Sequence, residues 1–400
     1  MTANELKVPA GFRFAATTAG IKASGNPDLA LIEVPQGATA AAVFTKNLVV
    51  AAPVIVGRKH VASSGKDIRA VLVNAGNANC ATGEPGLAAA EKSCKELAHA
   101  IHAKAKQIIP SSTGVIGQQF PIEKLLKGIP SLLAARGESC DHAMSFARAI
   151  MTTDTRPKTS VAELSIKGKS AAVLGICKGA GMIHPNMATM LCYIVTDVKA
   201  SPSQLSKLLK STVDRTFNRI SIDGDTSTND TVCLLASGAS ALTLESGKVA
   251  DAFAAALDEV CGSLAEQIIS DGEGVRHVVH LRIEGARSED EAEAIARTIA
   301  HSPLVKTAWA GADPNWGRIL AAIGRSGVKL DPSKIDIHFG PILVCSSGVT
   351  ARFDEKTAHE YLSHPSTTVR VDLGRGRRSI NFLTCDLTDG YVRINADYRT

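Results

Sequence analysis

Short apolar runs alternate along the chain with longer segments whose apolar residues recur at helical spacing. The runs have the length of buried strands, and the longer segments have the period of amphipathic helices. A chain that mixes both periods packs helices against sheets, so the pattern predicts the α/β class, although not a clean repeat of βαβ units. Predicted strands are 70–73, 171–176, 191–195, 275–283 and, with a turn at 389–390, 380–395; predicted helices are 86–103, 203–213, 250–268 and one capped at Ser288 that runs to about Ala300.

Composition argues against several classes of function. Of the 400 residues, 45% are hydrophobic and only 4% are aromatic, and the formal net charge is +5. So few aromatic side chains and so small a charge argue against a nucleic-acid partner. The most apolar segment, 48–56, is interrupted by Pro53 and is too short to span a bilayer, so no membrane partner is expected.

The ends of the chain and its cysteines favour a cytoplasmic protein. No apolar stretch that could be a signal peptide follows the polar N-terminus. The nine cysteines show no C-x-x-C spacing, which is typical of free thiols in a reducing compartment.

No H-E-x-x-H motif occurs, and the calcium-like start at 223–225 has Thr228 where the loop needs glycine. Neither a metal nor a redox cofactor is therefore expected.

The segment 178–191, with the sequence KGAGMIHPNMATML, joins two of the apolar runs. A loop so rich in glycine and proline can hold backbone close to a ligand. Within it, the hydroxyl of Thr189 can attack the carbonyl of Ala188 in an N→O acyl shift. Hydrolysis of that ester gives Thr189 a free α-amine, which can serve as the base for its own hydroxyl. The alternative is a threonine at a strand edge in an ordinary loop.

A second segment, 110–117, predicts a turn before a possible helical segment. Free backbone N–H groups in such a turn can bind an anion, or can form an oxyanion hole if they point at the developing charge. The alternative is a plain turn or a helix cap. Hydroxyl and carboxylate side chains also cluster in segments that suit either a site or local turns, namely 151–155, 219–230, 270–274 and the terminus 395–400.

Together these segments resemble one known family. Residues 178–191 closely resemble the signature of the glutamate N-acetyltransferase/ornithine acetyltransferase family. The segments that resemble its other blocks, in the same order, are 112–117, 152–154, 221–230 and 311–318. The resemblance extends from about Phe12 to the C-terminus. It implies a layered α/β sandwich of the kind shared with certain N-terminal-nucleophile aminopeptidases.

The resemblance also implies that a precursor cuts itself. The cut falls between Ala188 and Thr189 and gives chains of residues 1–188 and 189–400, which stay together and pair into an α2β2 heterotetramer. A composition break near 285–293 marks a possible smaller sub-domain over about 286–400.

The implied reaction is acetyl transfer in arginine biosynthesis. Thr189 takes the acetyl group from N2-acetylornithine, and glutamate then accepts it, giving N-acetylglutamate and ornithine. Thr113 and Gly114 match the oxyanion-hole pair of the family. The residues that match its substrate-binding positions are Thr152, Lys178, Thr189, Glu273, Asn395 and Thr400. At the first of these positions Thr153 is the alternative, and we favour Thr152.

Some members of the family also accept acetyl-CoA as donor, and the sequence leaves that choice open. His184 departs from the family pattern, because a smaller residue is expected before the proline. A histidine titrates near neutrality and can tune cleavage or the new amine, and a tolerated loop variation is the alternative. Two rival functions are an N-terminal-nucleophile amidohydrolase or aminopeptidase on the same fold, in which water resolves the acyl-enzyme, and a non-catalytic ligand-binding protein that is never cut.

Overall fold

The structure, a computed structural model, describes residues 6–184, 190–245 and 247–397. Its strands are β1 Arg13–Thr17, β2 Leu29–Glu33, β3 Thr39–Phe44, β4 Ala70–Asn77, β5 Ile108–Val115, β6 Lys158–Ile166, β7 Lys169–Lys178, β8 Leu191–Thr196, β9 Ile220–Ser221, β10 Thr231–Ala236, β11 Val278–Ala286, β12 Asp336–Phe339, β13 Ile342–Ser346, β14 Val349–Thr350, β15 Ser366–Asp372 and β16 Arg378–Cys385. Its α-helices are α1 Ala52–Ser64, α2 Gly83–Ala100, α3 Ile122–Ala134, α4 Cys140–Ala149, α5 Pro202–Arg215, α6 Gly247–Ser270, α7 Glu289–Ala300, α8 Pro303–Ala310, α9 Trp316–Gly324, α10 Glu355–Leu362 and α11 Asp389–Asp397.

The strands form three sheets. The first has the order β1-β2-β4-β5, the second β3-β10-β8-β7-β6 and the third β14-β13-β12-β15-β11-β16-β9. Parallel and antiparallel pairs occur in each sheet: β4 and β5 are parallel, as are β10 and β8, whereas β7 is antiparallel to both of its neighbours. The second sheet therefore interleaves strands from before and after the glycine-rich segment.

The first two sheets pack face to face. Phe14 and Ile32 of the first sheet share one buried cluster with Tyr193 of the second. Leu29 and Leu31, which alternate with the residues of β2 that enter this cluster, face the opposite way and pack with α2 and α3. Successive side chains of a strand point to opposite faces, so a strand buried on both sides is apolar at nearly every position. Helices α5 and α6 cover the outer face of the second sheet. The result is a helix–sheet–sheet–helix sandwich, and the predicted α/β class is confirmed.

A separate apolar core lies against the third sheet. Ile283 and Phe382 of the sheet pack there with Ile299 of α7, and all three are buried. We call this cluster, drawn from residues 279–382, the C-terminal core. Ser288 caps α7 as the sequence predicts, because its hydroxyl accepts a hydrogen bond from the backbone N–H of Glu291 at 3.2 Å. The chain boundary at 188/189 and the sub-domain limits of about 286–400 stay predictions.

The prediction for the tail is wrong. Residues 380–395 are not one strand, because β16 ends at Cys385 and the helix α11 begins at Asp389. The alternation of Val392 and Ile394 with polar residues imitates a strand. The helix instead brings residues four apart onto one face, and the side-chain amide of Asn395 donates to the Tyr391 carbonyl at 3.0 Å.

The prediction of a turn at 110–117 is also wrong. Most of that segment is β5, which pairs in parallel with β4, and β4 itself runs beyond the predicted 70–73 to Asn77. Pro110 is accommodated because β5 is an edge strand, where one side of the backbone needs no ladder partner.

Among the described residues, no helix is both long and apolar enough to cross a membrane.

Candidate active site

A polar cavity of about 180 Å³ lies where the first and second sheets meet the end of α6. Its walls include six of the residues singled out from the sequence, namely Thr113, Gly114, Thr152, Lys178, Glu273 and Asn395. Thr153 lines it as well, so the choice between the two threonines stays a prediction. Ala188, Thr189 and Thr400 lie outside the described residues. Met190 and Leu191, which follow Thr189 in the chain, line the same cavity.

The strand β5 supplies one wall. Gly114 has φ +129°, and a Cβ atom at this position would lie 2.3 Å from the carbonyl carbon of Gly76 on the neighbouring strand. Only glycine allows this approach of the two backbones. The amide of Asn229 braces the strand from the other side, because it donates to the carbonyls of Ser112 at 2.9 Å and Ala78 at 2.6 Å. This wall therefore presents Thr113 from a fixed backbone.

Lys178, the last residue of β7, reaches across to that wall. Its Nζ donates to Thr113 Oγ1 at 3.3 Å, which leaves the threonine O–H able to donate in turn. The ammonium lies 3.9 Å from Asp154 Oδ2. Burial lowers the pKa of Lys178; the charge of Asp154 raises it, while that of Lys158 lowers it further. Lys178 is thus a buried cation whose positive charge is only partly compensated.

Beneath Lys178 lies a buried ion-pair network. The Nζ atom of Lys158 is 2.7 Å from Asp154 Oδ1 and 2.5 Å from Asp271 Oδ2, and all three side chains are almost completely buried. Burial alone would raise the pKa of Asp154, but the charges of Lys178 and Lys158 together with its hydrogen bonds lower it to about 2. Sequence reasoning missed Lys158, whose only signal is a charged residue at the start of an apolar strand.

Glu273 forms the anionic side of the cavity. Its carboxylate accepts a hydrogen bond from the side-chain amide of Asn395 at 2.7 Å, and its backbone N–H donates to Ala180 at 2.9 Å. Gly181 allows the carboxylate to come this close, because a Cβ atom there would lie 2.4 Å from Glu273 Oε2. The helix α11 is therefore what brings Asn395 to the site.

Asp230 is a further acidic side chain of the cavity wall, and the sequence pattern alone does not assign it a separate role. It is 2% exposed, and its Oδ2 atom has no hydrogen-bond partner among the described residues. Burial raises its pKa well above the usual range, although Ser227, Lys178 and the backbone of Met190 act in the opposite direction. The cavity wall therefore contains a buried carboxyl group with a raised pKa as well as Lys178 and Glu273.

His184 does not titrate near neutrality. Burial lowers its pKa to about 3, and the nearby His301 and Arg297 contribute in the same direction. The rings of His184 and His301 meet edge to face with centroids 4.1 Å apart, and a guanidinium nitrogen of Arg297 lies 3.1 Å from His184 Nε2. Because His184 is neutral at pH 7, it cannot tune the site by gaining or losing charge there.

The arrangement can hold a small zwitterion and stabilise a developing negative charge. A cation and a carboxylate on facing walls suit the two charged groups of an amino acid, and a fixed hydroxyl donor suits an oxyanion. In the described part of the chain, no group of three or more His, Cys, Asp or Glu residues could hold a metal ion. Fold and cavity together define an α/β enzyme whose site fits acyl chemistry on amino-acid substrates.

Comparison with known proteins identifies the family. Residues 13–400 match the family model described as the ArgJ family. The chain is 47% identical over 395 residues to the arginine biosynthesis bifunctional protein ArgJ of Methylococcus capsulatus. The match covers 98% of this chain and 96% of that protein. The corresponding protein of Pseudomonas fluorescens is 45% identical over 396 residues, with coverage of 98% and 96%.

A solved structure agrees with these relatives. The crystal structure of the arginine biosynthesis bifunctional protein ArgJ of Bacillus halodurans superimposes on this chain with a TM-score of 0.50 and 42% sequence identity. The superposition covers 52% of this chain and 98% of the Bacillus chain. The chain therefore belongs to the ArgJ family. Its function as an acetyltransferase of arginine biosynthesis, which the sequence resemblance implies, is confirmed.

Proposed function

We propose that the chain transfers the acetyl group of N2-acetylornithine to glutamate through an acetyl ester on Thr189, after cleavage of the Ala188–Thr189 bond. The observation that carries the proposal is the convergence of six predicted site residues, far apart in sequence, on one cavity. Thr189 is bonded directly to Met190, which lines that cavity. A nucleophile at this position needs no base from elsewhere, since its own α-amine can take the proton.

In the first half of the reaction, the Thr189 hydroxyl attacks the acetyl carbonyl and its proton passes to the α-amine. Thr113 and Gly114 donate hydrogen bonds to the oxyanion of the tetrahedral intermediate. Ornithine then leaves with the proton on its α-nitrogen, and the acetyl group stays as an ester. In the second half, the α-amine of glutamate attacks this ester, so that N-acetylglutamate leaves and the hydroxyl of Thr189 regains its proton.

Charges on the cavity walls account for substrate recognition. Lys178 binds the α-carboxylate that both substrates carry, and Glu273, held by Asn395, binds the side-chain ammonium of ornithine. Thr152 lines the same cavity, and Thr400, which lies outside the described residues, is expected to complete the site. The burial of Lys178 and Glu273 strengthens these charge interactions.

The two chains produced by cleavage would remain one folded unit. In the second sheet, β8 of the later segment lies between β7 of the earlier segment and β10, and β3 of the earlier segment pairs with β10. The chain of the solved relative aligns over 98% of its length with only 52% of this chain, as one product of such a cleavage would. Association of two such pairs into an α2β2 heterotetramer follows from the resemblance.

We propose in addition that acetyl-CoA can serve as a second acetyl donor, which the word bifunctional in the names of the relatives favours. No other cofactor enters the proposed reaction.

All nine cysteines are free thiols, and eight of them are buried, which supports a cytoplasmic, reducing environment.

Product analysis tests the proposal. Purified enzyme is incubated with N2-acetylornithine in the presence and absence of glutamate, and the products are quantified by mass spectrometry. We expect equal amounts of ornithine and N-acetylglutamate, and little ornithine when glutamate is omitted. Free acetate as the main product under both conditions would instead identify a hydrolase on the same fold. A parallel reaction with acetyl-CoA as the sole donor tests the second activity.

A further inference from the structure

Lys158 is a lysine with no exposed surface, and it is held between two carboxylates from distant parts of the chain. Asp154 lies four residues before it, and Asp271 lies 113 residues after it. A buried lysine of this kind keeps its charge only because of those partners: burial lowers its pKa, but the two carboxylates raise it more. Nothing in the reaction proposed above uses Lys158.

The two carboxylates that bind Lys158 also hold the segments that form the cavity. Asp154 accepts the backbone N–H of Thr152 at 3.0 Å and that of Gly179 at 2.6 Å. Asp271 accepts the backbone N–H of Thr155 at 3.1 Å and lies two residues before Glu273. One buried ammonium therefore joins the segments that carry Thr152, Lys178 and Glu273.

Lys158 and Lys178 compete for the same carboxylate. The Nζ atom of Lys158 is 2.7 Å from Asp154, whereas that of Lys178 is 3.9 Å away, beyond hydrogen-bond distance, and donates to Thr113 instead. Because Lys158 satisfies Asp154, Lys178 is not drawn into a close pair beneath the cavity floor. Its ammonium remains at the cavity wall.

We propose that Lys158 is a positioning residue: by binding Asp154 it leaves the Lys178 ammonium at the cavity wall to bind the carboxylate of the substrate. The part of this statement that concerns the substrate rests on the proposed function. The part that concerns Lys178 and Asp154 depends on the geometry alone. Without Lys158, Asp154 keeps its backbone hydrogen bonds from Thr152 and Gly179 but loses its close ammonium, and the ammonium of Lys178 moves towards it.

The test is the proton affinity of Lys178, measured with and without Lys158. Loss of Lys158 alone would leave two buried carboxylates with too little positive charge, so the decisive variant is the double change K158M/D271N, which removes one charge of each sign. Asparagine keeps one oxygen that can accept from the backbone N–H of Thr155, and its amide nitrogen can donate to the Thr155 hydroxyl oxygen. The single variant D271N controls for the lost carboxylate. Arg156→Ala removes a cation that lies 3.9 Å from the same Asp271 but is 56% exposed.

Each protein is labelled with a trace of isotopic acetic anhydride over a range of pH, and the Lys178 peptide is quantified by mass spectrometry. A nearby positive charge lowers a lysine pKa, so its removal raises that pKa. We expect the labelling midpoint of Lys178 to rise by about one pH unit or more in K158M/D271N. It should not rise in D271N, which loses a negative charge, and it should stay at the wild-type value in Arg156→Ala. An unchanged midpoint in the double variant would overturn the proposal, whether or not the enzyme transfers acetyl groups.

Kinetics separate this proposal from the proposed function. In the double variant, we expect the KM for N2-acetylornithine to rise about tenfold, as for a lost charge-assisted hydrogen bond, with a smaller change in kcat. Lys158→Arg, which keeps the charge, should restore part of the affinity. A shifted midpoint with an unchanged KM would show that Lys178 does not bind the carboxylate. If the wild-type enzyme transferred no acetyl group, the proposed function would be contradicted, but the conclusion from the labelling of Lys178 would still hold.

Discussion

Two buried regions of the molecule are built from opposite kinds of side chain. The ion-pair network next to Lys178 contains Lys158 and Asp154 with no exposed side-chain surface, whereas the C-terminal core contains Ile299 and Phe382, equally buried. Buried charges cost free energy unless they are paired, and an apolar core gains stability from every methylene that leaves water. The proposed chemistry belongs to the cavity, whose described lining includes no residue of the C-terminal core, and that core contributes stability. Substitutions in the C-terminal core should therefore lower the free energy of unfolding but leave catalysis unchanged. Substitutions at the cavity wall should lower activity but leave stability nearly unchanged.

The largest effect is expected from Thr189→Ala. Without the hydroxyl there is neither an acyl shift nor a nucleophile, so the chain should stay uncut and acetyl transfer should be abolished. Denaturing electrophoresis and product analysis measure the two losses. Thr196→Ala is the matched control, because the hydroxyl of that threonine donates to the Ala172 carbonyl at 2.8 Å and accepts from the Val198 backbone N–H at 3.3 Å, and Thr196 does not line the cavity. Normal cleavage in Thr189→Ala would contradict the assignment.

Thr113→Ala tests the cavity wall with a smaller expected effect. Loss of one oxyanion donor typically lowers kcat about 10²–10³-fold. Thr113→Ser keeps the hydroxyl and should retain most of the rate, and neither variant should change the thermal midpoint by more than a few degrees. Steady-state kinetics with N2-acetylornithine measure the rates. Turnover at the wild-type level in Thr113→Ala would remove this hydroxyl from the mechanism.

Ile299→Ala is the reciprocal test, in the C-terminal core. Truncation of a fully buried isoleucine typically costs about 2–5 kcal/mol of the free energy of unfolding, because a cavity is left behind. Denaturant unfolding measures that loss, while kcat and KM at 25 °C should stay near the wild-type values. A large fall in kcat with intact folding would show that the two regions are coupled more closely than their separate cores indicate.

The smallest effect is expected at His184. His184 stacks on His301, which follows α7, and the pKa values of these residues are lowered to about 3 and about 4. Below the usual pKa of 6.5, the unfolded chain takes up protons that the folded chain does not, so stability falls as the pH drops from about 6.5 towards 3. His184→Asn should make this slope shallower in unfolding measured at several pH values. The pH profile of activity near neutrality should not move, and a displaced profile would restore the hypothesis that His184 tunes the site.

The fold class was predictable from the sequence because strand-like and helix-like periods are local properties. The tail was not, because Val392 and Ile394 alternate like strand residues, whereas the helix α11 makes its contacts through Tyr391 and Asn395 with Asp223 and Glu273, far away in the sequence. The segment at 110–117 looked like a turn because Pro110 and Gly114 usually interrupt strands, whereas an edge position tolerates the proline.

The candidate site was predictable only in part. The blocks that resemble the family contain residues that meet in one cavity, yet nothing in the sequence shows that Lys158 belongs with them. A single lysine at the start of a strand looks solvent-exposed. Its partner Asp271 lies 113 residues away, and only the packing of β6 against the end of α6 brings the two together. The neutral state of His184 likewise depends on burial beside His301 and Arg297, which no local pattern reveals.

The central claim is that one residue provides both the nucleophilic hydroxyl and the amine that activates it. The most direct measurement is mass spectrometry of wild-type enzyme after brief incubation with N2-acetylornithine in the absence of glutamate, stopped with acid. The account predicts a peptide that begins at Thr189 and carries one acetyl group, which disappears when glutamate is added. A single uncut polypeptide that turns over substrate, or a cut enzyme whose Thr189 peptide never gains an acetyl group, would contradict it.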